Sequence, residues 1–252
     1  MIGRDTLVAA CDARLEPARF KDFTVNGLQV SGKERINRIM SGVTACQTLL
    51  DEAVAWQADL VLVHHGYFWK NEPVEITGIK RKRLATLMLH DINLLAYHLP
   101  LDAHAELGNN AQLAQQLDLV VEGCVDGDLG QGLLWQGCPS SALDSQALAA
   151  LVWERLGRKP LLIEGHDREI RSLAWCTGAA QDMIVQAWEA GADAFISGEI
   201  SERTTHLARE LGITYLAAGH HATERYGVQA MGTWLEERFG IEHRYMEIDN
   251  PV

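Results

Sequence analysis

The chain has 252 residues, 47% apolar and 22% charged, with a formal net charge of −12. That apolar share can bury a substantial core, which excludes an intrinsically disordered chain, and the acidic balance repels rather than collects a nucleic-acid backbone. The five cysteines form no C-x-x-C pair and are odd in number, so a zinc knuckle, a thioredoxin-type motif and a disulfide framework are all disfavoured.

Met1 to Asp5 lead into charged, interrupted sequence. No signal peptide and no run of 18 apolar residues stands out, so a soluble, cytoplasmic protein with no membrane partner is expected. Ile36 to Val43 predicts a strand. Thr48 to Gln57 predicts a helix with Leu49, Leu50, Ala53 and Val54 on one face. Leu60 to Val63 is a short, wholly apolar run of the kind buried on both sides of a sheet. Lys80-Arg81-Lys82-Arg83 is the one basic cluster, read as a solvated helix end in preference to a phosphate-capturing patch. Leu84 to Leu89 predicts a helix and Asn93 to Tyr97 a strand. This alternation is the signature of an α/β layer architecture.

The Gly-rich stretch from Glu122 to Gly130 is the best candidate boundary, dividing the chain into lobes 1–125 and 126–252 of one continuous unit. Ser145 to Leu156 predicts a helix that stops at Gly157, with Pro160 soon after. The second half repeats the first: residues 43–62 align on 177–196 at a constant offset of 134, with Ala45/Ala179, Gln47/Gln181 and Asp59/Asp193 among the identities. His98/His220 and Asp102/Glu224 align at 122, which places the first half's extra residues within Phe68 to Arg83. Thr223 to Phe239 predicts the last helix, with Thr223 as N-cap and a stop at Gly240.

The candidate site gathers at strand ends, where side chains leave the core and meet in a crevice. His64 and His65 follow the apolar run Leu60 to Val63, and neighbouring side chains on extended backbone point to opposite sides, so the two imidazoles can serve different ions. His220 follows the run from Ile213 to Ala218 in the same way. Asp102 and Glu224 each lie four residues after a histidine, His98 and His220. Imidazole and carboxylate are ligands for divalent cations such as Zn, Mn, Fe, Co or Ni, and these clusters suffice for two ions, with Glu224 able to bridge them. His98 is placed behind the metal or in a structural role. Glu199, opposite His65 in the repeat, is a candidate to line the same crevice. His221 is read as a neighbour, His206 as a weak supporting candidate, and the remaining histidines as structural. No P-loop, dinucleotide fingerprint, nucleophile elbow or H-E-x-x-H is present. The seven tryptophans sit at core-like positions rather than among basic residues, which argues against a face for single-stranded nucleic acid.

Asn26-Gly27-Leu28-Gln29-Val30, Val63-His64-His65-Gly66, His98-Leu99-Pro100-Leu101-Asp102 with Gly108-Asn109-Asn110, and Gly219 to Glu224 together resemble, in order, the GTP cyclohydrolase I type 2, or NIF-three-like, family. The resemblance implies an α/β fold of two similar lobes and a dinuclear metal site at His64, His65, Asp102, His220 and Glu224. It further implies a ring-shaped homohexamer with the metals facing a central cavity, without the inserted domain of longer relatives. The activity expected is that of a metal-dependent hydrolase on a small anionic substrate, a nucleotide such as GTP, with metal-activated hydroxide as nucleophile. The alternatives are a metal-binding assembly or interaction protein without catalysis, and a metal-dependent phosphoesterase or peptidase. No residue that reads a substrate base is identifiable from the sequence.

Overall fold

Four consecutive apolar residues, Leu60 to Val63, leave neither face of a strand compatible with water. The computed structural model, which describes all 252 residues, places them fully buried near the middle of a five-stranded sheet. That sheet belongs to the first of two compact units, made of Met1–Leu101 and Gly227–Asp249. Its strand order is Glu242–Tyr245, Arg38–Thr44, Leu60–His65, Asn93–Ala96 and Gly27–Val30, the first four parallel and the last antiparallel. The parallel connections need crossover helices. Gln47–Ala55 and Gly78–Leu89 supply them, packing Leu49, Leu50, Ala53, Leu84 and Leu87 on Met40, Val61, Val63 and Leu94. The strand Leu60–His65 runs two residues further than its apolar run and carries both histidines with it.

The second unit consists of Asp102–Tyr226 and Asn250–Val252. Its six strands lie in the order Leu119–Cys124, Trp135–Pro139, Leu173–Cys176, Ala194–Ser197, Thr214–Ala217 and Leu161–Ile163. The three from Leu173 to Ala217 are parallel, Trp135–Pro139 and Leu161–Ile163 run against them, and Leu119–Cys124 pairs antiparallel with Trp135–Pro139. One core packs Leu148, Val152 and Leu156 of the helix Ser145–Leu156 against Trp135, Trp175 and Ile196; a second packs Ile184, Ala187 and Ala208 against Phe195 and Tyr215. The helix Ser145–Leu156 has its expected ends: Asp144 accepts from the Ala147 amide at 2.7 Å, and Gly157 closes it at φ +69°.

The internal repeat is real at the level of topology. Each unit has three parallel strands joined by helices and an antiparallel strand beside the third, contributed by the segment preceding them. In register, Ile39 and Leu60 occupy the places of Leu173 and Ala194, preserving the offset of 134. The extra residues of the first half lie where expected: residues 66–77 join strand to helix, against 198–201 in the second.

Two expectations are corrected. The boundary drawn at 125/126 falls inside the second unit, because the Gly-rich stretch runs from the strand Leu119–Cys124 into the hairpin connection to Trp135–Pro139. The chain instead enters the second unit at Asp102 and returns to the first at Gly227. The last helix spans His220–Phe239, three residues more than expected, so Thr223 lies within its first turn and is not the N-cap. The Thr223 hydroxyl donates back to the Gly219 and His220 carbonyls and accepts the Gly178 amide. No helix is long and apolar enough to cross a membrane.

Candidate metal centre

In the first unit the carboxyl ends of two neighbouring parallel strands bring three imidazoles together. His64 is fully buried, and its Nδ1 lies 2.9 Å from the Tyr97 carbonyl oxygen. A carbonyl only accepts, so Nδ1 carries the proton and Nε2 keeps its lone pair. His65 pairs in register with Thr44 of the adjacent strand, whose Oγ1 is 3.2 Å from His65 Nδ1. His98 Nδ1 lies 2.7 Å from Asp22 Oδ1. The rings of His64 and His65 are 4.5 Å apart by centroid, and that of His98 is 5.1 and 5.7 Å from them. The ligand atoms of the three lie within 4.8 Å of one another, a group that can hold a metal ion.

Asp22 has no place in the sequence-derived site, and the structure makes it the organiser of this cluster. Besides His98 it accepts from the Phe23 and Leu99 amides and from Asn26 Nδ2, while Asn26 Oδ1 accepts the His98 amide at 2.7 Å. Burial would raise this carboxyl, but the His98 and Asn26 hydrogen bonds outweigh it and bring the pKa down to about 2. The signal available in the sequence was the Asn26-Gly27-Leu28-Gln29 motif, which marks this segment without revealing its partner 76 residues away.

In the second unit the strand ends are laced by glycine backbone: the Gly198 amide donates to Gly178 O at 2.8 Å and the Gly219 amide to Gly198 O at 3.0 Å. This lacing starts the helix at His220, so His220 and Glu224 stand four apart on one helical face, with Nε2 3.0 Å from Oε2. Glu199 Oε1 holds the other nitrogen, Nδ1, at 2.6 Å. Burial alone would lower the His220 pKa, but Glu224 and Glu199 outweigh it and lift it to about 9. Glu224 is 3% exposed, and a Cβ built on Gly178, at φ +68°, would sit 2.1 Å from Glu224 Oε1. Glycine at 178 is therefore required both by its left-handed backbone and by the carboxylate beside it. Asp102 is buried, and its Oδ1 accepts from Asn109 Nδ2 at 2.8 Å and Thr177 Oγ1 at 3.2 Å, which sets the rotation of the carboxylate. Thr177 and Thr223 were not anticipated; Asn109 belonged to a motif whose role was not.

The remaining histidines separate clearly. His206 is exposed and paired with Glu202 one helical turn away. The His221 amide donates to the Val252 carbonyl. Among His64, His65, His98 and His220 one pattern recurs: Nδ1 is tethered to an oxygen of the protein. That is the arrangement by which proteins orient imidazoles whose Nε2 binds metal.

The profile of the Duf34/NIF3 family (NGG1p interacting factor 3) matches residues 3–251. A protein of Pseudomonas aeruginosa named "GTP cyclohydrolase 1 type 2 homolog" is 52% identical over 251 residues, covering 100% of this chain and 99% of that one. The solved structure of protein ybgI, described as of unknown function, superposes with a TM-score of 0.96 at 47% identity over all of both chains. TTHA1606 from Thermus thermophilus does so at 0.90 and 33% identity, also over all of both chains.

Proposed function

The chain belongs to the Duf34/NIF3 family, and from that membership and the four tethered histidines we propose that it is a dinuclear metal-dependent hydrolase acting on a nucleotide. His64 and His65 of the first unit and Asp102, His220 and Glu224 of the second are the proposed ligands of two divalent cations. The donor set, imidazole nitrogen and carboxylate oxygen, suits Zn, Mn, Fe, Co or Ni. The space kept open at Gly178 beside Glu224 is consistent with a carboxylate held for an ion.

Such cations, when bound, acidify a coordinated water toward neutral pH and draw in an anionic substrate. The chain's own residues do the positioning. Tyr97, Thr44 and Glu199 orient the ligand imidazoles, and Asn109 and Thr177 orient Asp102. GTP is the first substrate to test, since close relatives carry the name GTP cyclohydrolase 1 type 2 homolog. A ring-shaped homohexamer in the cytoplasm completes the reading; Val120 and Val121, exposed on the edge strand Leu119–Cys124, are apolar surface available for self-association.

The observation that carries the proposal is the common tethering of Nδ1 in four histidines. The test is reconstitution of purified protein with each metal, elemental analysis, and product analysis with a nucleotide panel. Two ions per chain with turnover, formate being released from GTP, is the expected result. Full occupancy without turnover of any nucleotide would refute the nucleotide-hydrolase reading.

A further inference from the structure

The linker from residue 66 to 77, far longer than its counterpart in the second unit, begins with a segment held in place more tightly than a loop requires. Gln29 clamps it from the neighbouring edge strand: Oε1 accepts the Tyr67 amide at 2.7 Å, and Nε2 donates to the Tyr67 carbonyl at 2.9 Å and the Val25 carbonyl at 2.7 Å. Thr24 Oγ1 donates to the same Tyr67 carbonyl, the Tyr67 hydroxyl reaches the Ala45 carbonyl, and the Lys70 amide donates to Phe23 O. Gly66 admits no side chain, because a Cβ there would lie 2.3 Å from Gln29 Oε1 and 2.7 Å from Ala96 Cβ. Phe68 adopts φ +66°, a left-handed conformation unfavourable for a bulky residue, of the kind found where function sets backbone geometry.

The outcome of this clamping is the position of Trp69. Its indole lies edge to face with His98, centroids 5.0 Å apart at 80°, and 6.0 Å from His65 at 51°, with Nε1 donating to Gly66 O at 3.3 Å. Trp135 and Trp175 are core residues, at 1% and 0% exposure, whereas Trp69 remains half-buried. Trp153 and Trp188 are exposed as well, so it is the contact with two imidazoles that sets Trp69 apart. Here a strained, clamped backbone keeps an indole partly open to solvent against two imidazoles of the candidate metal centre.

We infer that Trp69 is a stacking platform for a planar aromatic ring of the substrate, such as a purine base, presented to the histidine cluster. This rests on the reading of that cluster as a metal centre for a nucleotide, and it supplies the base-contacting residue that the sequence motifs do not reveal. Stacking tolerates any flat heterocycle, so Trp69 sets the class of substrate and leaves the choice among bases to other contacts.

The test compares GTP with inorganic tripolyphosphate, which carries the charge without the base, by calorimetric titration of the metal-loaded protein. Wild type is expected to bind GTP more tightly. Trp69→Ala should weaken GTP by about ten- to a hundredfold while leaving tripolyphosphate unchanged, and Trp69→Phe should retain most of the GTP affinity. GTP should also quench a component of the tryptophan fluorescence that is missing in Trp69→Phe. GTP bound no more tightly than tripolyphosphate, or a difference undiminished in Trp69→Ala, overturns the inference at whatever metal content is found. Elemental analysis of the same samples reports separately on the metal centre.

Discussion

The two units end equivalent parallel strands in opposite chemistry. The first closes its strands on imidazoles, His64, His65 and His98, held from behind by a carbonyl, a hydroxyl and one carboxylate. The second closes on carboxylates, with His220 set between Glu224 and Glu199. One fold thus yields a half whose strand ends carry mainly imidazoles and a half whose strand ends carry mainly carboxylates. A duplicated scaffold constrains where side chains gather and leaves open what they are. The linker after the middle strand is where the halves diverge most: residues 66–77 carry Tyr67, Phe68 and Trp69, whereas 198–201 carry Glu199.

The sharpest way to break the comparison is to remove the central carboxylate of the second half. Glu224→Ala should lose both ions if this carboxylate bridges them, whereas Asp102→Ala should lose mainly one, read by elemental analysis after reconstitution. Both ions retained in the Glu224 variant would remove it from the centre. Next in size is Gly178→Ala. It places a methyl against Glu224 Oε1 and forces a left-handed backbone on a residue with a Cβ, so a stability loss of about 1–3 kcal/mol and reduced metal content are expected. Thermal unfolding with and without metal reads both; an unchanged melting temperature would contradict the packing described at Glu224.

The supporting residues test whether the halves are equivalent. Glu199→Gln should weaken metal affinity by about tenfold or more, the usual cost of removing a partner that orients a ligand histidine. Asp22→Asn acts through His98, which is outside the proposed ligand set, and should weaken affinity less. Titration with a competing chelator measures both. An equal or larger effect at Asp22 would promote His98 to a ligand, in keeping with its place in the imidazole cluster.

Much of this organisation was legible because it rests on local pattern. The run Leu60 to Val63 reads as a buried strand and is one, and the pair His64-His65 sits directly at its end. The offset of 134 survives because both units preserve the register of their first two parallel strands. The helix Ser145–Leu156 carries its own cap and stop. The features that escaped depend on partners distant in sequence. The bond from Asp22 to His98 and the clamp from Gln29 onto Tyr67 join segments that no periodicity connects. The early start of the last helix comes from backbone lacing at Gly178, Gly198 and Gly219. The entry into the second unit at Asp102 has no compositional mark, since it lies inside the short helix Leu99–Ala103.

The smallest effect concerns a histidine remote from the candidate centre. His243, on the strand Glu242–Tyr245 of the first unit, sits with Nε2 2.7 Å from Ser41 Oγ. Burial holds its pKa below the ordinary value of about 6.5, although Glu236 pulls the other way. The unfolded chain therefore binds a proton here more readily than the folded one. The resulting stability is fully present above pH of about 6.5 and is lost as pH falls below it through the folded pKa. His243→Gln keeps a hydrogen-bonding group toward Ser41 but cannot titrate, so its unfolding free energy should depend less steeply on pH across that acid range than that of wild type. Identical slopes in denaturant titrations of metal-free protein would show that His243 is not the group responsible, and that the acid sensitivity of this unit lies elsewhere.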